Sequence, residues 1–137
     1  MPKIIAIDYG SKRCGIAATD ELQIIASSLP TVETKNIFTF LKDYFQKNKV
    51  DVIVLGEPKR MDTSDTHNSQ PVRDFRKKIE ELYPDKKVQM IDERFTSKMA
   101  FQTMIDGGLS KKQRKNKALV DEISATIILQ SYLQSRP

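Results

Sequence analysis

Cysteine is almost absent from these 137 residues: Cys14 is the only one, so no disulfide can close within the chain. That usage fits a reducing compartment, and a cytoplasmic location is the expectation. Histidine is equally scarce. His67 stands alone in a polar stretch with no partner at metal-ligand spacing, and it reads as a solvated side chain. No apolar run approaches the roughly 18 residues of a membrane span, so no membrane role is expected. Met1-Pro2-Lys3 leads directly into strand-like sequence, without a signal-peptide pattern. There is no repeat, low-complexity tract or linker. The expectation is one domain over residues 1–137, large enough for a sizeable core but not for two.

What is present in excess is positive charge, in one place. The chain carries 23 basic and 18 acidic residues, a net charge of +5. Lys111, Lys112, Arg114, Lys115 and Lys117 lie in one short segment that contains no acid, and without them the count is 18 against 18. Such a concentration is either a phosphate-contacting footprint or a solvated loop leading into a helix.

The apolar pattern divides into elements. Ile4 to Asp8 reads as a buried strand, Cys14 to Thr19 as its hairpin partner, and Ile24 to Ser28 as a shorter third strand. Cys14 falls in phase with Ile16 and Ala18 and reads as a small buried hydrophobe. Thr34 is placed to cap a helix with Ile37, Leu41, Tyr44 and Phe45 at helical spacing. Asp51 to Leu55 is a buried strand ended by Gly56-Glu57-Pro58, and Lys59 to Asn68 is a polar loop. Pro71 suits the first turn of a helix whose face is Val72, Phe75, Ile79 and Leu82. Val88 to Ile91 is a short strand ending at Asp92-Glu93-Arg94. Thr96 or Ser97 can cap a further helix that stops at Gly107-Gly108. Ala118 to Tyr132 is an apolar final helix. This order predicts an α/β fold: a mixed five-stranded sheet, an antiparallel meander of strands 1–3 followed by parallel strands 4 and 5, flanked by helices.

Three acids stand where apolar elements do not ordinarily place one. Asp8 ends the first strand, Glu93 lies just beyond another strand's end, and Asp121 shares a helical stripe with Ala125, Ile128 and Tyr132. A carboxylate at the end of a buried strand needs a partner to offset its desolvation. Parallel strands bring their carboxyl ends to one edge, where the sites of open sheets gather. Three acids converging there repel unless divalent cations neutralise them, and Mg²⁺ prefers carboxylate oxygen. Two such ions about 4 Å apart activate a water and stabilise the leaving oxygen in phosphodiester cleavage. The alternative is that each acid caps a helix or pairs locally, Glu93 with Arg94 for example, and Asp121 in a helix's first turn.

The motifs Ile5-Ala6-Ile7-Asp8-Tyr9-Gly10, Gly15-Ile16-Ala17, Val54-Leu55-Gly56-Glu57-Pro58 with Met61-Asp62, Asp92-Glu93-Arg94-Phe95-Thr96-Ser97, and Asp121-Glu122-Ile123-Ser124-Ala125 with Ile128 to Leu133 resemble the YqgF family. Its members are called Holliday junction resolvases or pre-16S rRNA nucleases. The resemblance spans almost the whole chain. It implies an RNase H-like fold, a bacterial cytoplasmic protein, and nuclease activity in processing the 5′ end of pre-16S rRNA, and the carboxylate chemistry above makes Mg²⁺ or Mn²⁺ the expected cofactor. It implies catalytic and metal-holding roles for Asp8, Glu93 and Asp121. Many members carry Leu where Glu57 stands, and a glycine-bearing loop where Thr63-Ser64-Asp65 stands. Related resolvases place their second carboxylate at the end of the fourth strand, which is the position of Glu57. Whether Glu57 or Glu93 is the main second ligand therefore stays open.

Lys12, Arg13, Lys59 and Arg60 sit in loops near candidate acids and can meet phosphate or be solvated. Arg94 can steer the scissile phosphate or neutralise Asp92 or Glu93. Tyr9 can stack a base or pack beside the hairpin. Three functions compete: a nuclease on structured RNA, the same site acting on four-way DNA junctions, and a nucleic-acid-binding module without catalysis. Junction cleavage asks for two sites and so a homodimer, whereas the RNA reading allows a monomer. An Asp-x-Gly after a first strand also opens the phosphate loop of actin-like ATPases. Those need a second such domain, for which this chain has no room.

Overall fold

The computed structural model describes residues 2–23, 25–57, 69–92 and 117–135. Its elements are β1 (Lys3–Tyr9), β2 (Arg13–Thr19), β3 (Ala26–Glu33), a 3₁₀ turn (Thr34–Asn36), α1 (Ile37–Lys47), β4 (Val50–Glu57), α2 (Ser69–Leu82), β5 (Lys87–Asp92) and, here called α3, Lys117–Ser135. The five strands form one sheet in the order β3-β2-β1-β4-β5. β1 pairs antiparallel with β2, and β2 with β3; β1 pairs parallel with β4, and β4 with β5. This is the mixed sheet expected from the order of elements. The loop expected from Lys59 to Asn68 and the helix expected before Gly107 lie outside the described residues.

The apolar strand runs follow from burial on both faces. On one face Ile5, Ile7, Cys14, Ile16, Ile53 and Leu55 pack with Ile37 and Leu41 of α1 and Phe75 and Ile79 of α2. On the other, Ile4, Ala6, Ala17, Val52 and Val54 pack with Ala125, Ile128 and Leu129 of α3. Alternation along each strand feeds the two cores in turn, so neither face of the central strands has room for a routine polar residue. The buried Thr19 fits because its hydroxyl oxygen accepts the Ile4 N–H at 2.9 Å.

Three expectations are corrected. The third strand runs Ala26–Glu33 rather than from Ile24 to Ser28. Residues 20–23 are used up by the turn: the Gln23 N–H donates to the Asp20 carbonyl, Gln23 takes the left-handed φ of 59°, and the Asp20 carboxylate accepts the Ile25 N–H. Ile25 is left 62% exposed. The strand then passes through Pro30, which an edge strand tolerates because no neighbour needs its N–H. Secondly, Thr34 does not cap α1. It opens the 3₁₀ turn, and α1 begins at Ile37 behind Asn36, which makes no side-chain cap bond. The Thr34 hydroxyl donates instead to the Gly10 carbonyl at 2.6 Å. Thirdly, Leu82 is 49% exposed at the last position of α2. Tyr83 takes its place against the core, edge-on to Phe45 at 4.8 Å between ring centroids.

Candidate active site at the carboxyl edge of the parallel strands

Because β1, β4 and β5 are parallel, their carboxyl ends share one edge. Gly56 pairs with Ile91 and Glu57 with Asp92, so the ends of β4 and β5 are level. Ile7 pairs with Leu55, and the same register carried one residue further sets Asp8 beside Gly56. On the other side Asp8 pairs with Gly15 of β2. Both cross-strand neighbours of the carboxylate are glycines. Gly15 itself faces a bulge, since Cys14 pairs with Val32 and Ile16 with Leu29, leaving Pro30 and Thr31 against one residue.

Asp8 is half-buried and in phase with Ile4 and Ala6, whose side chains lie in the core under α3. Asp121 stands in α3 one turn before Ala125, which packs on that same face. The helix backbone thus brings Asp121 to the face that carries Asp8. Glu57 is in phase with Ile53 and Leu55, which belong to the opposite core. Asp92 is likewise in phase with Val88 and Met90, whereas Ile91 packs on the α3 side.

The hairpin joining β1 to β2 carries two basic residues. Lys12 is exposed and Arg13 half-buried. The turn is tight: a Cβ on Gly10 would sit 2.5 Å from the Arg13 carbonyl oxygen, so residue 10 has to be glycine. Tyr9 points to the α1–α2 side and packs locally. Its ring stacks on Phe75 with centroids 4.5 Å apart, and Phe38 lies 5.3 Å from Phe75. Burial pushes the Tyr9 phenol above 10.0, and the negative charges of Cys14 and Asp74 in their ionised forms push the same way.

Of the sequence-predicted residues, the structure brings Asp8, Glu57, Lys12 and Arg13 to this edge. Lys117 begins α3. Lys59, Arg60, Glu93, Arg94, Lys111, Lys112, Arg114 and Lys115 lie outside the described residues, as do the side chains of Glu57, Lys117 and Asp121. Among the described residues no three His, Cys, Asp or Glu side chains form a metal-sized cluster. Also among them, no helix is long and apolar enough to cross a membrane. Sequence reasoning missed the part played by Gly15 and Gly56; a glycine inside a strand pattern is the signal that could have found them.

Comparison with known proteins gives the family and the fold. A family model described as RuvX, Holliday junction resolvase, matches residues 2–135. A Flavobacterium johnsoniae protein named "Putative pre-16S rRNA nuclease" is 57% identical over 136 residues, covering 99% of both chains. A relative of the same name from Flavobacterium psychrophilum is 58% identical over 133 residues, 97% of each. Among solved structures, T. thermophilus RuvC in complex with a Holliday junction substrate superposes with a TM-score of 0.57 at 14% identity, covering 98% of this chain and 96% of that one. The Fowlpox virus resolvase, solved with Holliday junction DNA, gives 0.56 at 14% identity and 97% coverage of each. At such identities the likeness is one of fold, the RNase H-like fold. With a family model and close relatives both spanning nearly its whole length, the chain belongs to the RuvX (YqgF) family of resolvase-like nucleases.

Proposed function

We propose that the chain is a metal-dependent endonuclease that hydrolyses phosphodiester bonds in structured RNA, acting in the 5′-end processing of pre-16S rRNA in the cytoplasm. One observation carries the reading: Asp8 stands at the carboxyl edge of the parallel strands, on the α3 face, with glycine on both sides. No side chain stands directly opposite it on β2. The relatives' names supply the substrate class.

The donor chemistry suits Mg²⁺ or Mn²⁺, which take carboxylate oxygen and keep several waters. Asp8, Glu93 and Asp121 are the residues proposed to hold the metal. Glu57, at the end of β4, is the alternative second acid, and comparing Glu57→Gln with Glu93→Gln decides between them. A divalent cation supplies Lewis acidity at the scissile phosphate and a more acidic water. The chain's own residues do the rest. Asp8 would hold the cation at the sheet edge, where the scissile phosphate would meet it. Lys12, Arg13, Lys59, Arg60 and Arg94 neutralise flanking phosphates. Lys111, Lys112, Arg114, Lys115 and Lys117 track the backbone farther along, ahead of Asp121.

The family's description as Holliday junction resolvase favours a second reading, cleavage of four-way DNA by the same acids in a homodimer. The deciding experiment compares wild type with Asp8→Asn on precursor 16S rRNA, unrelated RNA and four-way DNA, each with Mg²⁺, Mn²⁺ or chelator. Preferential, Asp8-dependent cut of the precursor near the mature 5′ end supports the proposal. Cleavage that persists in chelator sinks the metal mechanism. Binding of these nucleic acids without cleavage of any of them by wild type leaves only a non-catalytic module.

A further inference from the structure

Thr34 lies just beyond β3, whose last residue, Glu33, pairs with Arg13. It holds the β1–β2 hairpin tip at three points. Its backbone N–H donates to the Lys12 carbonyl at 3.0 Å. Its hydroxyl donates to the Gly10 carbonyl at 2.6 Å. Its Oγ1 also lies 3.5 Å from the Sγ of buried Cys14. A threonine hydroxyl has one proton, and the Gly10 bond uses it, so the Cys14 thiol is the donor in the third contact. The chain Cys14 S–H to Thr34 O–H to Gly10 C=O ties both arms of the hairpin to the end of β3. Between those anchors lie only Ser11, Lys12 and Arg13.

We infer that Thr34 is a positioning residue that fixes the basic tip against the Asp8 edge, so that Lys12 and Arg13 meet backbone phosphate of the nucleic acid cut there. The inference rests on the nuclease reading of that edge. Thr34 touches no substrate in this role. It limits the freedom of a three-residue connection that would otherwise have to be ordered on each binding event. The hydroxyl, rather than the methyl, is the operative group, since both side-chain contacts run through Oγ1.

The test is steady-state cleavage with Mg²⁺ by wild type, Thr34→Val and Thr34→Ser, on whichever substrate wild type cuts, over a range of KCl. Thr34→Val keeps the shape and loses the hydroxyl; its KM is expected to rise about five- to tenfold, the worth of one hydrogen bond, with kcat within about twofold. Its plot of log kcat/KM against log salt should become shallower by about 0.7 to 0.9 for each phosphate no longer neutralised. Thr34→Ser should behave as wild type. In a Lys12→Gln, Arg13→Gln background, Thr34→Val should add nothing. An unchanged KM in Thr34→Val, an equal loss in Thr34→Ser, or full additivity with the tip substitutions each overturns the inference. Amide hydrogen exchange on the wild-type protein reads the clamp without any variant. The Thr34 amide is expected to be protected, and exchange at the rate of a free amide overturns the clamp. If wild type cuts no nucleic acid, the nuclease reading fails and takes the role of the tip with it, while protection of Thr34 still decides whether the clamp exists.

Discussion

Asp8 pairs directly with Gly15 across the antiparallel β1–β2 ladder, so the strand neighbour of the one described site carboxylate has no side chain. Gly56 takes the equivalent place on β4 by continuation of the parallel register. Paired strands put opposed side chains on the same face about 5 Å apart, so any residue larger than glycine at position 15 would stand beside the carboxylate. Gly15→Ala is therefore expected to lower the cleavage rate by about 10- to 100-fold by displacing the reacting phosphate. The melting temperature should hold or rise, because alanine narrows the unfolded ensemble by about 0.4–1 kcal/mol. A parallel fall in melting temperature would mean that Gly15 is needed by the backbone and not by the site.

Asp8→Asn keeps the size of the side chain and removes its charge. Cleavage should fall on the order of 10²–10³-fold, as when one preorganised electrostatic group is lost from a reaction centre. In chelator the variant should melt no lower than wild type, since it relieves repulsion from the neighbouring acids. Mg²⁺ should raise the wild-type melting temperature by mass action and leave the variant's unmoved. A variant clearly less stable than wild type in chelator would assign Asp8 a structural role.

The sheet was legible because Ile4 to Ile7 and Val52 to Leu55 are apolar at every position, the mark of strands covered on both faces. The third strand was misplaced because Ile24 and Ile25 look like strand residues. The backbone there obeys Asp20 and Gln23 instead, and Ile25 stays in solvent. Thr34 has the composition of a cap, and its hydroxyl partner lies 24 residues away, beyond the reach of local pattern. Asp8 could be singled out from the sequence as a charge ending a buried strand. Its glycine neighbours are marked in the sequence only as glycines inside strand patterns; that they flank Asp8 emerges through register.

Tyr9, Tyr44 and Tyr83 all have phenols pushed above 10.0 by burial. A raised folded-state value contributes stability that is complete below the unfolded value and is lost as pH rises through the folded one. The protein should therefore lose melting temperature as pH climbs above about 10. Tyr9→Phe keeps the ring for stacking on Phe75 and removes the ionising group. It should match wild type at neutral pH and lose less between about pH 10 and 11. Identical alkaline slopes would show that Tyr9 does not contribute to this loss.

The two cores make different demands on the site. Ile128 and Ile79 are both fully buried, the first under α3 and the second under α2. Truncating either to alanine should cost about 2–5 kcal/mol, measured by denaturant unfolding. Only α3 carries Asp121. Assayed well below both midpoints, Ile128→Ala should lose cleavage activity beyond its loss of folded protein, while Ile79→Ala should keep activity per folded molecule. Equal activities would place the catalytic geometry beyond the influence of α3 packing.

The basic segment offers the last test, because the whole net charge of the chain resides in it. Replacing Lys111, Lys112, Arg114, Lys115 and Lys117 by glutamine leaves 18 basic against 18 acidic residues. If the segment tracks phosphates, each neutralised phosphate releases counterions, and the slope of log affinity against log salt should fall by about 0.7 to 0.9 for every phosphate the variant leaves unneutralised. Affinity at low salt should drop steeply while kcat at saturating substrate changes little, since these groups bind ground state and transition state alike. Stability should be unaffected or slightly raised by the removal of like charges. A variant with weaker binding but an unchanged salt slope would mean that the segment acts through packing rather than by meeting phosphate. Unchanged binding would assign its charges to solvent and leave the hairpin tip and the loops around Asp8 to hold the nucleic acid.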